Sequence, residues 1–393
     1  MSRLSRAAAG GELRVDDGCV GAALAGPRRW LGSAVEWKKL GEVAKICRGV
    51  RVVKKELTDD GKYAVYQNSL KPLGYYGEAN VKGGTAFVIG AGAAGEVGYS
   101  EQDFWAADDC YYIDGGERLI GRYVYYCLTS RQDWLLGKVR KASIPRLSRD
   151  FIAALEIPLP PLEIQREVVE ILDNFANLTA ELTAELAKRK KQYEHYRDML
   201  LNFDGPDGVE WKRLGELCES GLVKMARGNV ISKKDVQNNP GDYPIYSSSA
   251  VGDGEFGRYG KYMFDEELVT WSIDGGGKFF YREKKKFSVT NVCGYIRVEN
   301  TNILLPKFLY HALASQWATK SYDYIHKALP STIIDDYFIP LPPIAEQKRI
   351  VAILDRFDSL CNSLTEGLPA EIALRKKQYE YYRDKLLSFK EVG

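Results

Sequence analysis

At 393 residues the chain has room for two or three domains, each with its own core. Hydrophobic residues make up 45% and charged residues 27%, a balance that fits a globular protein and excludes a disordered or fibrous one. The net charge of +2 excludes a strong global field, so any nucleic-acid contact has to come from a local patch, and no apolar run approaches the ~20 residues that span a bilayer.

Residues 1–34 are rich in Ala, Gly and Arg and lack periodicity, and they read as a poorly ordered N-terminal extension. Val35-Glu36-Trp37-Lys38-Lys39-Leu40-Gly41-Glu42 then opens a globular part, 35–157. The spacing predicts strands at Ala86–Ile89 and Tyr111–Ile113 and a helix at Arg122–Leu128. Ile157-Pro158-Leu159-Pro160-Pro161 ends the last strand and places proline at a helix start, where its missing N–H costs nothing. From there Ile164, Val168, Ile171, Phe175, Leu178 and Leu182 recur at spacings of three and four, and Tyr193, Tyr196, Leu200 and Phe203 resume the stripe. This is a coiled-coil seam within a central helical region, 158–203. Thr179-Ala180-Glu181-Leu182 is immediately repeated as Thr183-Ala184-Glu185-Leu186, a four-residue stutter that locally unwinds a supercoil.

After the turn-rich hinge 204–208 the chain repeats itself. The opening segment returns as Val209-Glu210-Trp211-Lys212-Arg213-Leu214-Gly215-Glu216. A second globular part, 209–338, carries expected strands at Val269–Ile273 and Cys293–Val298 and a helix at Pro306–Leu313. The proline run returns at Ile339–Pro343 and leads into a second helical region, 339–389. Arg189-Lys190-Lys191-Gln192-Tyr193-Glu194 returns as Arg375-Lys376-Lys377-Gln378-Tyr379-Glu380. The offset between copies grows from 182 to 186 residues along the helical regions, and Pro369 should interrupt the second helix. A helix over 162–203 would run ~63 Å and cannot bury its stripe alone. Its natural partner is the equivalent helix of the other copy. The expected fold is therefore α+β: two globular domains separated by a pair of long antiparallel coiled-coil helices, with internal pseudo-twofold symmetry.

Seven cysteines with no C-x-x-C pair, and only three histidines, offer no metal site and read as reduced thiols of a cytoplasmic protein. Phe87-Val88-Ile89 followed by Gly90-Ala91-Gly92-Ala93-Ala94-Gly95 matches the dinucleotide fingerprint, and an S-adenosylmethionine- or dinucleotide-dependent enzyme is the alternative reading. Glu96-Val97-Gly98-Tyr99-Ser100 is a poor helix opening, however, and a tight loop between strands fits better. No catalytic constellation is found.

Local basic and polar clusters point to nucleic acid. Lys138, Arg140, Lys141 and Arg146 fall in an acid-free stretch before the last strand of the first domain. The matching stretch, 322–331, holds His326 and Lys327. Lys278, Arg282, Lys284, Lys285 and Lys286 form another cluster. Gln67, Asn68 and Ser69, with Tyr66 and Lys71 beside them, are matched by Ser247, Ser248 and Ser249 beside Tyr246. Basic groups near Gly92 can hold phosphates while short polar side chains reach base edges.

The Trp-Lys-x-Leu-Gly-Glu openings, the twin Ile-Pro-Leu-Pro-Pro motifs, Glu346–Asp355 and the two Arg-Lys-Lys-Gln-Tyr-Glu-x-Tyr-Arg-Asp segments resemble the specificity subunit of type I restriction–modification systems, over 35–389. The resemblance implies a DNA-recognition subunit without a catalytic site of its own. Its two target-recognition domains each read half of a bipartite double-stranded site, and its long helices act as a ruler. It also implies two methyltransferase and two restriction subunits as partners. Those partners would carry S-adenosylmethionine, ATP and Mg in an adenine-specific methyltransferase and ATP-dependent endonuclease. No cofactor is expected on this chain. Gln192, Arg197, Asp198, Gln378, Arg383 and Asp384 are the candidate docking residues, and the neighbouring tyrosines are expected to pack helices.

Overall fold

The computed structural model describes residues 33–58, 61–203, 208–248, 252–317, 319–322, 327–362 and 367–392. The chain divides into two compact units: residues up to Glu181 together with those from Ile372 onward, and Leu182–Glu371.

Unit 1 opens with β1 (Ala34–Lys39), α1 (Leu40–Val43) and β2 (Lys45–Arg48), followed by β3 (Tyr63–Tyr66), β4 (Gly74–Tyr76), β5 (Thr85–Ile89), β6 (Val97–Ser100), β7 (Trp105–Ala106) and β8 (Cys110–Asp114). The helices α2 (Gly121–Ser130), α3 (Gln132–Gly137) and α4 (Arg149–Ala153) precede β9 (Glu156–Leu159), and α5 (Leu162–Leu200) follows. One sheet has the order β2-β8-β5-β6, and a second has the order β4-β3-β7. β1 pairs antiparallel with β9 and parallel with the C-terminal strand Lys390–Glu391. The N-terminal extension thus ends before residue 34. Ala34 is already in the sheet, and the Ser33 carbonyl accepts from the Lys390 N–H at 3.1 Å. Residues 1–32 and 204–207 lie outside the described residues.

The stripe on α5 goes somewhere other than expected. Val168, Ile171, Leu172 and Phe175 are buried in the globular core beside Val88, Tyr123, Leu128 and Ile157, worth roughly 1.5–3 kcal/mol each. The same cluster takes in Leu386, Leu387 and Phe389, and Phe175 stacks on Tyr382 at 5.2 Å. A domain, and not only a second helix, covers the start of the seam. The helix continues unbroken through the duplicated Thr-Ala-Glu-Leu.

Unit 2 repeats the plan. It holds β10 (Trp211–Arg213), α6 (Leu214–Glu219), β11 (Val223–Arg227), α7 (Lys233–Asn238), β12 (Tyr243–Tyr246), β13 (Glu255–Tyr259), β14 (Phe264–Ser272), β15 (Phe279–Val289), β16 (Cys293–Val298), α8 (Pro306–Trp317), α9 (Pro330–Asp336), β17 (Phe338–Pro340) and α10 (Ile344–Asn362). The last helix, α11 (Gly367–Leu386), begins here and holds Pro369 in its first turn. One six-stranded sheet has the order β11-β16-β14-β15-β12-β13. Its core includes Ile350 and Leu354 of α10 and Leu201 at the end of α5. Tyr196 stacks on Phe357 at 5.4 Å. Leu360 of α10 is 37% exposed. Among the described residues no helix is long and apolar enough to cross a membrane.

Candidate nucleic-acid interface

In unit 1 the residues after β5 turn straight back into β6, with Val88 opposite Val97 in antiparallel register. Gly95 donates to the Ile89 carbonyl at 2.8 Å, and Gly92 and Gly95 have φ of +83° and +90°, conformations that glycine adopts without strain. No helix follows the loop, so it lacks the N-terminus that would hold a cofactor phosphate. The enzyme alternative built on Gly90–Gly95 is thereby corrected: the glycines serve a hairpin.

Two further loops close on this hairpin. The Ala93 N–H donates to the Asn68 carbonyl at 2.9 Å, the Gly92 N–H to the Pro145 carbonyl at 3.1 Å, and the Leu147 N–H to the Gly90 carbonyl at 2.8 Å. A Cβ on residue 92 would stand 2.7 Å from the Asn68 oxygen. Arg140 and Arg146 pair through their backbones at 2.8 and 3.2 Å. The polar loop, the glycine turn and the basic hairpin therefore meet at one tip. There Asn68, Lys71, Arg140, Lys141 and Arg146 are exposed, while Gln67 and Ser69 are half-buried. Gln67 donates to Asp108 at 3.4 Å, and Ser69 to the Lys71 carbonyl at 2.9 Å. Tyr66 is half-buried against Phe87 and Phe104, and burial pushes its hydroxyl pKa up. Lys138 is exposed as well, its ammonium 5.2 Å from the Trp134 ring and 5.9 Å from that of Phe151. An exposed amide among exposed cationic side chains can read a base edge while phosphates are held.

Unit 2 builds its tip from the same three parts. The turn between β14 and β15 closes with Gly277 donating to the Ser272 carbonyl at 3.0 Å. A Cβ on Gly275 would lie 1.9 Å from the Ser248 carbonyl oxygen, to which Ser272 Oγ donates at 2.6 Å. Ser247 Oγ bonds Thr290 Oγ1 at 2.9 Å. From the third side, the Ala328 N–H reaches the Ile273 carbonyl at 3.3 Å. Lys327 pairs with Asp274 at 2.9 Å, so part of its charge is spent within the protein. Ser249 and His326 lie outside the described residues.

Several expectations for unit 2 are corrected. Tyr246 is 1% exposed and cannot touch a ligand. Its ring supports the Arg282 guanidinium, 3.5 Å away. The basic cluster 278–286 is not one patch, because β15 spreads it along a strand. Lys278 sits at the turn, 5.1 Å from the Phe280 ring. Arg282 is buried and donates to Thr270, with burial lowering its pKa. Lys285 and Lys286 oppose Glu266 and Asp265 at the far end of the hairpin.

On the helices the docking candidates form matching sets. Arg189 donates to Gln192 at 3.0 Å, and Arg375 to Gln378 at 3.0 Å. Arg197 pairs with Asp198, and Arg383 with Asp384, each at 2.8 Å. Asp198 and Asp384 are exposed, but Gln378 is 6% exposed and is corrected to a structural residue. Tyr193 and Tyr196 pack on Phe357.

Sequence reasoning missed two pairs of residues. Gly49 and Gly228 donate to the Cys110 and Cys293 carbonyls at 2.9 and 3.1 Å, and a Cβ there would meet backbone oxygens at 2.2 and 2.0 Å. The repeated Arg48-Gly49 and Arg227-Gly228 was the available signal. Gln165 and Gln347 are 1% and 0% exposed, and both stand five residues after the first proline of a Pro-Pro pair.

The model of the type I restriction modification DNA specificity domain family matches residues 33–189 and again 206–374. A sequence named as a type I restriction enzyme specificity subunit from Haemophilus influenzae is 33% identical over 397 residues, covering 91% of this chain and 96% of that one. The EcoR124I/EcoR124II specificity subunit of Escherichia coli is 38% identical over 295 residues, 68% of this chain and 70% of its own. The crystal structure of a type I S subunit from M. genitalium superposes with a TM-score of 0.62 at 17% identity, covering 91% of this chain and 97% of the other; that likeness speaks for the fold alone. With two family matches, each taking in one of the two tips, the chain belongs to the type I restriction–modification DNA specificity family.

Proposed function

We propose that the two tips each read one half of a split DNA site, and that the long helical regions pair antiparallel and hold the halves at a fixed spacing. The observation that carries this reading is the convergence of a polar loop, a glycine turn and a basic or lysine-bearing segment in both units. Asn68 supplies the base-edge reader in unit 1, with Arg140, Lys141 and Arg146 on phosphates. Ser247, Ser248 and Lys278 are the counterparts in unit 2. Two methyltransferase subunits dock through exposed groups such as Asp198 and Asp384, and two restriction subunits complete the assembly. S-adenosylmethionine, ATP and Mg act on those partners, and the modification is adenine N6-methylation.

Duplex binding by the assembled methyltransferase complex tests the assignment. Arg146→Ala leaves the backbone bonds of residue 146 in place. It should weaken binding to all duplexes alike and reduce the slope against log salt by about 1. Asn68→Ala should relax discrimination at one base pair of one half-site by about 1–3 kcal/mol. Unchanged binding and discrimination in both variants would overturn the placement of the unit 1 tip.

A further inference from the structure

A buried glutamine fastens the long helix to the globular part in each unit. Gln165 Oε1 accepts the Ile120 N–H at 3.0 Å, and Nε2 donates to the carbonyls of Arg118 and Pro160, both at 2.9 Å. Gln347 repeats this with the Leu305 N–H at 2.9 Å and the carbonyls of Ile303 and Pro342 at 2.8 and 2.9 Å. Ile120 precedes α2 and has no side chain able to cap it, so the glutamine satisfies a helix-end donor that would otherwise be left unpaired. A primary amide is the right group, since it accepts with one atom and donates twice with the other.

A second anchor lies eight residues further along each helix. Asp173 takes Arg122 at 2.7 Å and also the Tyr126 hydroxyl. Asp355 takes Lys307 at 2.9 Å. Here His311 Nε2 stands 3.7 Å away, and neither nitrogen of that buried ring has a hydrogen-bond partner among the described residues. Two polar anchors on one helix fix its tilt as well as its position. Across a domain of ~35 Å a tilt of only ~5° displaces the far end by ~3 Å, close to the ~3.4 Å rise of one base pair.

We propose that Gln165 and Gln347 are positioning residues that hold each recognition domain at a fixed angle to its helix, and so restrict the spacer lengths the subunit accepts. The inference rests on the reading of the helices as a spacer. Gln165→Leu keeps the volume and removes all three bonds, leaving buried partners unsatisfied.

The test uses the full chain, with spin labels on noncanonical residues placed at exposed Glu78 and Glu181, and methylome sequencing of cells expressing the complex. Gln165→Leu should broaden the label distance distribution. Methylation at sites whose spacer is one base pair longer or shorter should rise by about tenfold, with both half-site sequences unchanged. Asp173→Asn, which weakens only the half-exposed second anchor, should move both readouts the same way by less, and it decides the matter if Gln165→Leu does not fold. An unchanged distance distribution overturns the proposal and leaves the function of the tips standing. A broadened distribution with spacing still strict also overturns it, and there the fault lies with the spacer reading.

Discussion

Unit 1 and unit 2 agree where backbone meets backbone and part where side chains fill space. The Leu40 N–H reaches the Leu155 carbonyl at 2.8 Å, and Leu214 reaches Tyr337 at 2.9 Å. Ala107 donates to the Tyr66 carbonyl and Thr290 to that of Tyr246, both at 2.9 Å. Under these shared bonds the contents differ. Tyr66 rests on two phenylalanines, whereas Tyr246 rests on Phe287 and on the buried guanidinium of Arg282. β15 runs unbroken for 11 residues, while its counterpart in unit 1 is split into β6 and β7, with Asp103 between them accepting from Gly83 and Lys82. The lesson is that main-chain bonds and glycines define the frame, so the tips can change chemistry without changing position.

The comparison breaks first if the frame is not shared. Gly49→Ala and Gly228→Ala each force a Cβ onto backbone oxygens that cannot swing away. Each should destabilise its own unit by about 3 kcal/mol, the upper end for overpacking, as read by urea unfolding. Tolerance at one position and not the other would show that the two frames differ. A smaller and sharper effect is expected on the helix. Deleting Thr179–Leu182 shortens α5 by ~6 Å, so the half-site spacing should fall by about one or two base pairs with both half-sites kept. An altered half-site at unchanged spacing would contradict the ruler.

Elements whose pattern is local were legible in the chain. Cys293–Val298 is a strand over the expected residues, and the helices expected at Arg122–Leu128 and Pro306–Leu313 lie within α2 and α8. β14 begins five residues earlier than its apolar run, at Phe264, where Asp265 and Glu266 stand opposite Lys286 and Lys285 in the ladder and Glu266 pairs with Arg297 of β16. That pairing lies outside any local window. The glycine turn read correctly as a tight loop between strands because Val97, Gly98, Tyr99 and Ser100, all poor helix formers, follow Glu96. What stayed hidden was long-range. Tyr66 and Tyr246 look alike in sequence, yet only the second is fully buried. Lys327 is paired by Asp274, and Gln165 acts on residues 45 and 47 positions away. Residue type gives the bonding capacity of such groups, and only the fold gives the partner.

The claim that the two tips read separately is tested most directly by exchanging residues 36–157 for those of a subunit with a different target and sequencing the methylome. One half-site should change, with the other half-site and the spacer intact. A change in both half-sites, or in neither, would contradict the account.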